Sequence, residues 1–443
     1  MPAVSPADKR DVSTQRPHTA AASTGSAAAA GGKTTVGEVA GGGSGSPGRA
    51  RASHGTAFWF AAGAFATQMG FGTAPTPLWP LYEARDGFGP TTVTVAFALL
   101  VVGASAGFLG LGHLSDVHGR RRVIASALSV AIASAVVLIA WPSLPGLLVG
   151  RVLTGVGIGL MASTATTYIA DLYSRSHPGR SASGVPGIVT TAANLGGLAL
   201  GPLIAGIIAE WAPVPLVATQ AAFGAVMAVF LVLVLLSPET VDSGSAARER
   251  PARFALRPAG AGMFTGASGM AFVAFAALGL FSSLGAVMIR GQLGIASPLV
   301  SGVAGFISFG SAAVGQLTMG RAAVRRLLGV GIILFPVGLA LVAVSLSHPA
   351  LWLYLIASAA AGAGSGLLFK ASVGQVASVA VPESRAGVLA VFFVIAYIGM
   401  GVPVILFSLA TQWAGIEPAI IGFAVLLSAG AAISVATVRR RLA

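Results

Sequence analysis

The chain has 443 residues, 55% of them hydrophobic and 9% charged, where a soluble domain carries roughly a quarter charged residues. So little charge does not cover a water-facing surface, but it suits lipid, where apolar side chains need no water. The absence of cysteine excludes disulfides, thiolate metal sites and cysteine nucleophiles.

In chain order, residues 1–54 are rich in Ala, Gly, Ser and Thr and contain no apolar run. Such a segment buries too little to offset its ordering entropy and reads as a disordered cytoplasmic extension. It has no signal-peptide apolar region, so cleavage by that route is not expected. Apolar segments follow at about 57–80, 91–111, 122–141, 145–170, 182–209 and 213–236. A polar stretch, 237–257, reads as a cytoplasmic linker. Six more segments lie at about 259–289, 298–319, 327–346, 350–378, 386–412 and 416–437. The expected fold is an all-α membrane protein of twelve transmembrane helices. Six lie within 55–236 and six within 258–438, and 439–443 form a basic cytoplasmic end.

Charges in the joints orient the chain. One end collects Arg120, Arg121, Arg122, Arg175, Arg180, Arg248, Arg250, Arg253, Arg257, Arg321, Arg325, Arg326, Arg385, Arg439, Arg440 and Arg441. The opposite end holds Glu83, Arg85, Asp86, Glu210, Arg290 and Glu417. By the positive-inside rule the Arg-rich end is cytoplasmic, and so are both termini. The net charge of +13 is therefore a topology signal. No basic soluble domain exists to bind nucleic acid. Arg outnumbers Lys 23 to 3, as in a GC-rich coding sequence, and points to a bacterial plasma membrane.

The two halves echo each other. Gly155-x-Gly157-x-Gly159-Leu160 in the fourth segment matches Gly362-x-Gly364-x-Gly366-Leu367 in the tenth. Asp86-Gly87-Phe88 matches Leu293-Gly294-Ile295, and Gly201-Pro202 falls near Gly401-Val402-Pro403. A parallel six-helix repeat places a substrate site between the halves, near the midplane.

The joint between segments 2 and 3 reads Gly112-His-Leu114-Ser-Asp116-Val-His-Gly119-Arg120-Arg121-Arg122. Gly119 permits a tight turn, and Asp116 and Arg120 are near enough to pair. This stretch resembles the loop signature of the major facilitator superfamily, GxLxDxxGRRR, and the resemblance covers about residues 57 to 437. It implies two pseudo-symmetric six-helix bundles around a central cavity. It also implies secondary transport by alternating access, with Asp116, Arg120 and Asp171 latching the cytoplasmic side. The corresponding joint between segments 8 and 9 keeps Gly315, Leu317, Gly320 and Arg321 but lacks the acid.

Arg151-Val-Leu-Thr154-Gly155 resembles the family's second motif. Arg151 either moves protons or attracts anions, or it hydrogen-bonds carbonyls of a neighbouring helix. Asn194, Gly197, Gly201-Pro202 and Gly206 resemble the family's antiporter signature, which implies export; the same residues also suit ordinary small-residue packing. No carboxylate or His falls in the middle of a span, which argues against a carboxylate proton relay there and against a cavity for cations. Lys370 is the only Lys outside the N-terminal segment. It either faces the cavity or snorkels to the interface. Gln68, Thr154, Asn194, Gln375 and Tyr397 either bind substrate or tie helices together.

These readings converge on a monomeric secondary transporter in the lipid bilayer that exports a small-molecule substrate, driven by a coupling proton or a counter-substrate. Uptake or exchange of an anionic metabolite is the alternative, on Arg151 and Lys370. A receptor that binds without moving its ligand ranks lower, since no soluble signalling domain is present. No cofactor, metal cluster, ATP-binding phosphate loop or catalytic set is recognisable, so enzyme activity is not expected.

Overall fold

A computed structural model describes residues 52–111, 118–179, 183–241 and 254–442. Its long helices are α1 His54–Thr73, α2 Pro90–Ala106, α3 Arg120–Ala140, α4 Leu144–Ser176, α5 Val185–Trp211 and α6 Pro215–Leu235 in the first half. The second half has α7 Ala261–Ser283, α8 Pro298–Thr318, α9 Val324–Ser347, α10 Leu351–Val379, α11 Arg385–Ala414 and α12 Ile416–Leu442. Eleven of them, α2 to α12, are long and apolar enough to cross a membrane. The remaining one, α1, has 20 residues, about 30 Å at 1.5 Å each, which matches a bilayer core. It packs among α4, α5 and α6.

Two expected spans are broken. The first runs as α1, a 3-10 turn Thr76–Leu78 and a short helix Trp79–Asp86. Pro75, Pro77 and Pro80 lack the N–H that would continue the α-helical ladder. The seventh divides at Leu284 into α7 and a short helix Gly285–Leu293. Both short helices end on a left-handed glycine, Gly87 (φ 69°) and Gly294 (φ 70°), a conformation that glycine adopts without a Cβ clash. These are the residues that the internal repeat pairs.

The repeat is also visible in how helices touch. A methyl added to Gly155 or Gly159 would overlap the α2 carbonyls of Leu100 and Ala104. A methyl on Gly362 or Gly366 would overlap the α8 carbonyls of Ser308 and Ala312. Thus α4 lies on α2 as α10 lies on α8, and small residues let the backbones meet.

The halves close against each other at the acidic end. There α5 and α8 cross at Gly206 and Gly302, where an added Cβ on Gly206 would sit 2.7 Å from Pro298 O and 3.1 Å from Gly302 Cα. Further along, a Cβ on Gly305 would lie 2.8 Å from the Pro202 ring. Toward the basic end the approach loosens: a Cβ on Gly310 meets Ala199 only at 3.9 Å, and Ile188 and Val314 are 56% and 58% exposed.

This crossing should not accept bulk. Gly206→Leu is expected to cost about 1–3 kcal/mol by overpacking and to lower the melting temperature in detergent. Gly187→Leu, at a position that meets nothing within 4 Å, should shift stability by no more than about 0.5 kcal/mol.

Candidate functional site

At the basic end, α3 begins on Gly119, whose φ of 93° is left-handed. The Arg120 guanidinium pairs with the Asp171 carboxylate of α4 and donates through Nη1 to Thr167 O at 3.3 Å. Two members of the expected latch therefore meet; Gly112 and Asp116 lie outside the described residues.

Sequence reasoning missed the group that organises this end. Glu239 follows α6 by a few residues and turns its carboxylate onto the start of α3. Oε1 accepts from the backbone N–H of Arg120 and of Thr240, each at 2.9 Å, and Oε2 accepts from Arg121 N–H at 3.2 Å. The first N–H groups of a helix have no internal partner and carry a partial positive charge, so a carboxylate suits them. A Cβ at residue 119 would stand 2.5 Å from Glu239 Oε2, so glycine also makes room for the acid. Arg121 Nη1 donates to Ser237 O at 3.0 Å, Tyr168 Oη to Pro238 O at 2.7 Å and Arg175 Nη2 to Thr240 O at 2.6 Å. Residues 237–241 are thereby seated on the ends of α3 and α4. The available signal was an acid directly after Ser237-Pro238, at a span's end.

Near the break in the first helix, Arg151 is 1% exposed. Its Nη2 donates to Gly72 O at 3.2 Å, and its guanidinium lies 5.6 Å from the Trp79 ring centroid. Trp79 Nε1 in turn donates to Ser282 O in the other half at 3.1 Å, beside a 3.2 Å contact between the Thr76 and Ser282 hydroxyls. Arg151 thus supports the α1 end that carries the closed contact. Lys370 donates to Gln316 O, in the last turn of α8, at 2.6 Å.

The other candidates divide. Gln68 is buried and donates to Ala127 O at 3.3 Å, and Thr154 bonds Gly150 O and Ser134 Oγ at 2.9 and 2.8 Å. Both tie helices within the first half. Gly197 and Gly201 lie against the Ala66 and Gly70 carbonyls of α1, and Pro202 and Gly206 lie against α8. The side chains of Asn194 and Gln375 make no hydrogen bond among the described residues, with Asn194 half-buried and Gln375 buried.

Tyr397 belongs to an aromatic group that no sequence motif marks. Its ring lies 5.6 Å from Phe108 of the π-helical extension of α2, Gly107–Leu111, and 5.7 Å from Phe275 of α7. Phe275 lies 4.9 Å from Phe369 of α10, and Phe393 of α11 stacks on Phe108 at 5.4 Å. Phe275, Phe369, Phe393 and Tyr397 are each only partly buried. They stand roughly 12 to 21 Å in from the basic ends of their helices at 1.5 Å per residue. The Tyr397 hydroxyl makes no hydrogen bond among the described residues. This is an apolar, ring-lined surface with one free hydroxyl, shared between the halves.

A family model described as Major Facilitator Superfamily matches residues 60–321. A stretch of 89 residues is 37% identical to a protein of Arabidopsis thaliana described as "Probable polyol transporter 3", covering 20% of this chain and 18% of that one. Another of 131 residues is 28% identical to "Uncharacterized transporter BU588" of Buchnera aphidicola, covering 30% and 31%. The chain thus spans less than a third of either curated relative. Among solved structures, a bacterial homologue of the human lysosomal transporter Spinster in an inward-facing, unoccupied conformation aligns with a TM-score of 0.65 at 14% identity, over 89% of this chain and 98% of that one. The nucleoside transporter NupG aligns at 0.66 with 12% identity, over 86% and 99%. The human organic anion transporter MFSD10 (TETRAN) aligns at 0.61 with 17% identity, over 87% and 100%. These three share the fold.

The carboxylate clamp at the basic end has a direct test. Glu239→Ala and Gly119→Ala should each lower stability by about 1–3 kcal/mol in a detergent melt, because each removes the same hydrogen bonds. The double variant should be no worse than the weaker-folding single one. Fully additive losses would mean that the two residues act separately.

Proposed function

The chain belongs to the Major Facilitator Superfamily, and from that premise we propose that it is a secondary transporter exporting a small, largely apolar aromatic molecule by alternating access. The observation that carries the substrate class is the ring cluster of Phe108, Phe275, Phe369, Phe393 and Tyr397, which draws on both halves. Aromatic faces bind planar ligands by stacking and edge contacts, and Tyr397 Oη offers such a ligand one hydrogen bond.

Residues 55–236 and 258–438 are the two rocking bundles, and 237–257 joins them. The basic end faces the cytoplasm of a bacterial plasma membrane, with residues 1–54 and 439–443 on that side. Asp116, Arg120 and Asp171 latch this end when it shuts. Closure at the acidic end, with looser packing toward the basic end, suits a state that loads from the cytoplasm, as export requires. Of the antiporter-like residues, Pro202 and Gly206 sit at the closed crossing, and Gly201 packs on α1 beside it. The anionic-metabolite reading has less support: Arg151 and Lys370 each donate to a backbone carbonyl, and neither lies among the rings.

Melting temperatures against a panel of neutral aromatics, organic anions and polyols test this, since a ligand of the folded state raises stability. Neutral aromatics should stabilise the wild type, and Phe369→Ala should weaken that binding up to about tenfold. Lys370→Ala should leave it intact. Stabilisation by anions that vanishes in Lys370→Ala would instead favour anion uptake. Accumulation of the stabilising aromatic across a sealed proteoliposome separates a transporter from a receptor.

A further inference from the structure

One acid at the closed end is unlike the rest. Glu83 sits on the short helix Trp79–Asp86, beyond α1 and outside the membrane-spanning helices. Its Oε1 is buried and has no hydrogen-bond partner among the described residues. Packed against this helix is Gly285–Leu293 of the other half. From there Arg290 Nη1 donates to Pro80 O, at 3.2 Å, about one turn before Glu83.

The charged surroundings are few. Arg290 is the opposing cation, occupied with the Pro80 carbonyl. Arg85 and Asp86 on the same helix pair with each other at 2.7 Å, and Arg85 also lies over the Tyr82 ring. Tyr82 Oη accepts from Gln220 at 3.2 Å. The 3-10 turn and α2, which also pack here, bring no ionisable side chain. Glu83 is half-buried, and a carboxylate with one oxygen sealed from water and unpaired is costlier charged than neutral. Burial pushes the Glu83 carboxyl up to about 7, against the opposing pull of Arg290.

We propose that Glu83 is a proton-operated lock on the closed end, neutral while it is buried between the halves and ionised when they part. The lock rests on the alternating-access reading above. Its sign follows from linkage. The closed state holds a proton that the open state, with Glu83 in water, releases above the ordinary carboxylate range. Closure is therefore favoured at low pH, and the advantage is lost as pH rises through about 7. The proton enters and leaves on the same side, so it is not carried across. It sets how readily the empty or loaded protein reopens.

The natural chain contains no cysteine, so spin labels can be placed without background. Pro213→Cys and Pro349→Cys put one label on each half, both on exposed joints at the acidic end. Distances between them would be measured by pulsed electron paramagnetic resonance on the full chain in lipid nanodiscs, between about pH 5.5 and pH 8.5. In the otherwise native chain, the long-distance population should grow about tenfold over that range, a figure reduced from the full shift because Glu83 is only half buried. Glu83→Gln, a permanent stand-in for the protonated acid, should stay closed at every pH. Arg290→Gln, which keeps a donor for Pro80 but removes the charge, should move the midpoint upward. An open population with the same pH dependence in Glu83→Gln overturns the lock and leaves the rocking motion intact. A single closed distance in every protein at every pH overturns the lock together with the alternating-access reading.

Discussion

The free N–H and C=O groups at a helix end have no partner within the helix, and where packing or lipid keeps water away the protein itself must satisfy them. The architecture depends on how this chain meets that demand. Arg151 donates to Gly72 O at the proline-broken end of α1. Lys370 does the same for Gln316 O at the end of α8. At helix starts the sign reverses: Glu239 receives the first N–H groups of α3. Glu210 receives Leu299 N–H at 3.1 Å and Ser297 Oγ at 2.7 Å at the start of α8. Each charge sits where the helix dipole favours it.

One of these end-caps joins parts that move relative to each other in the proposed cycle, and another supports such a contact. Glu210 belongs to α5 but caps α8 of the other half, so it is made only while the acidic end is shut. Arg151 supports Trp79, whose indole donates to Ser282 O across the same gap. The Glu239 clamp is different in kind. It stays within the first half and anchors residues 237–241 to the start of α3.

The ring-lined surface shared between the halves is apolar. The aromatic rings are held by neighbours on four helices, and α2 contributes Phe108 from a π-helical turn. A π-turn shifts the register of the side chains that follow it and recurs at functional sites. It is the local feature that brings a first-half ring onto Phe393 and Tyr397.

The amino-acid sequence by itself determined the class of the molecule, because length, low charge and apolar runs of about twenty residues admit few other solutions. It also contained the repeat, since Gly155 with Gly362 and Gly87 with Gly294 answer to backbone contacts and turns that only glycine accommodates. The loop motif was legible in the same way, and Arg120 does meet Asp171. Partner choice was not legible. Hydropathy specifies that a segment is a helix but not its rotation, and in near-uniformly apolar helices no moment reveals the inner face. Only packing decided that Gln68 and Thr154 bind neighbours, that Arg151 reaches Gly72, and that rings as far apart as Phe108 and Tyr397 touch. The break in α1 was written in Pro75, Pro77 and Pro80, yet its consequence needed the tertiary structure: a turn there brings Trp79 to Ser282 and half-buries Glu83 against the other half.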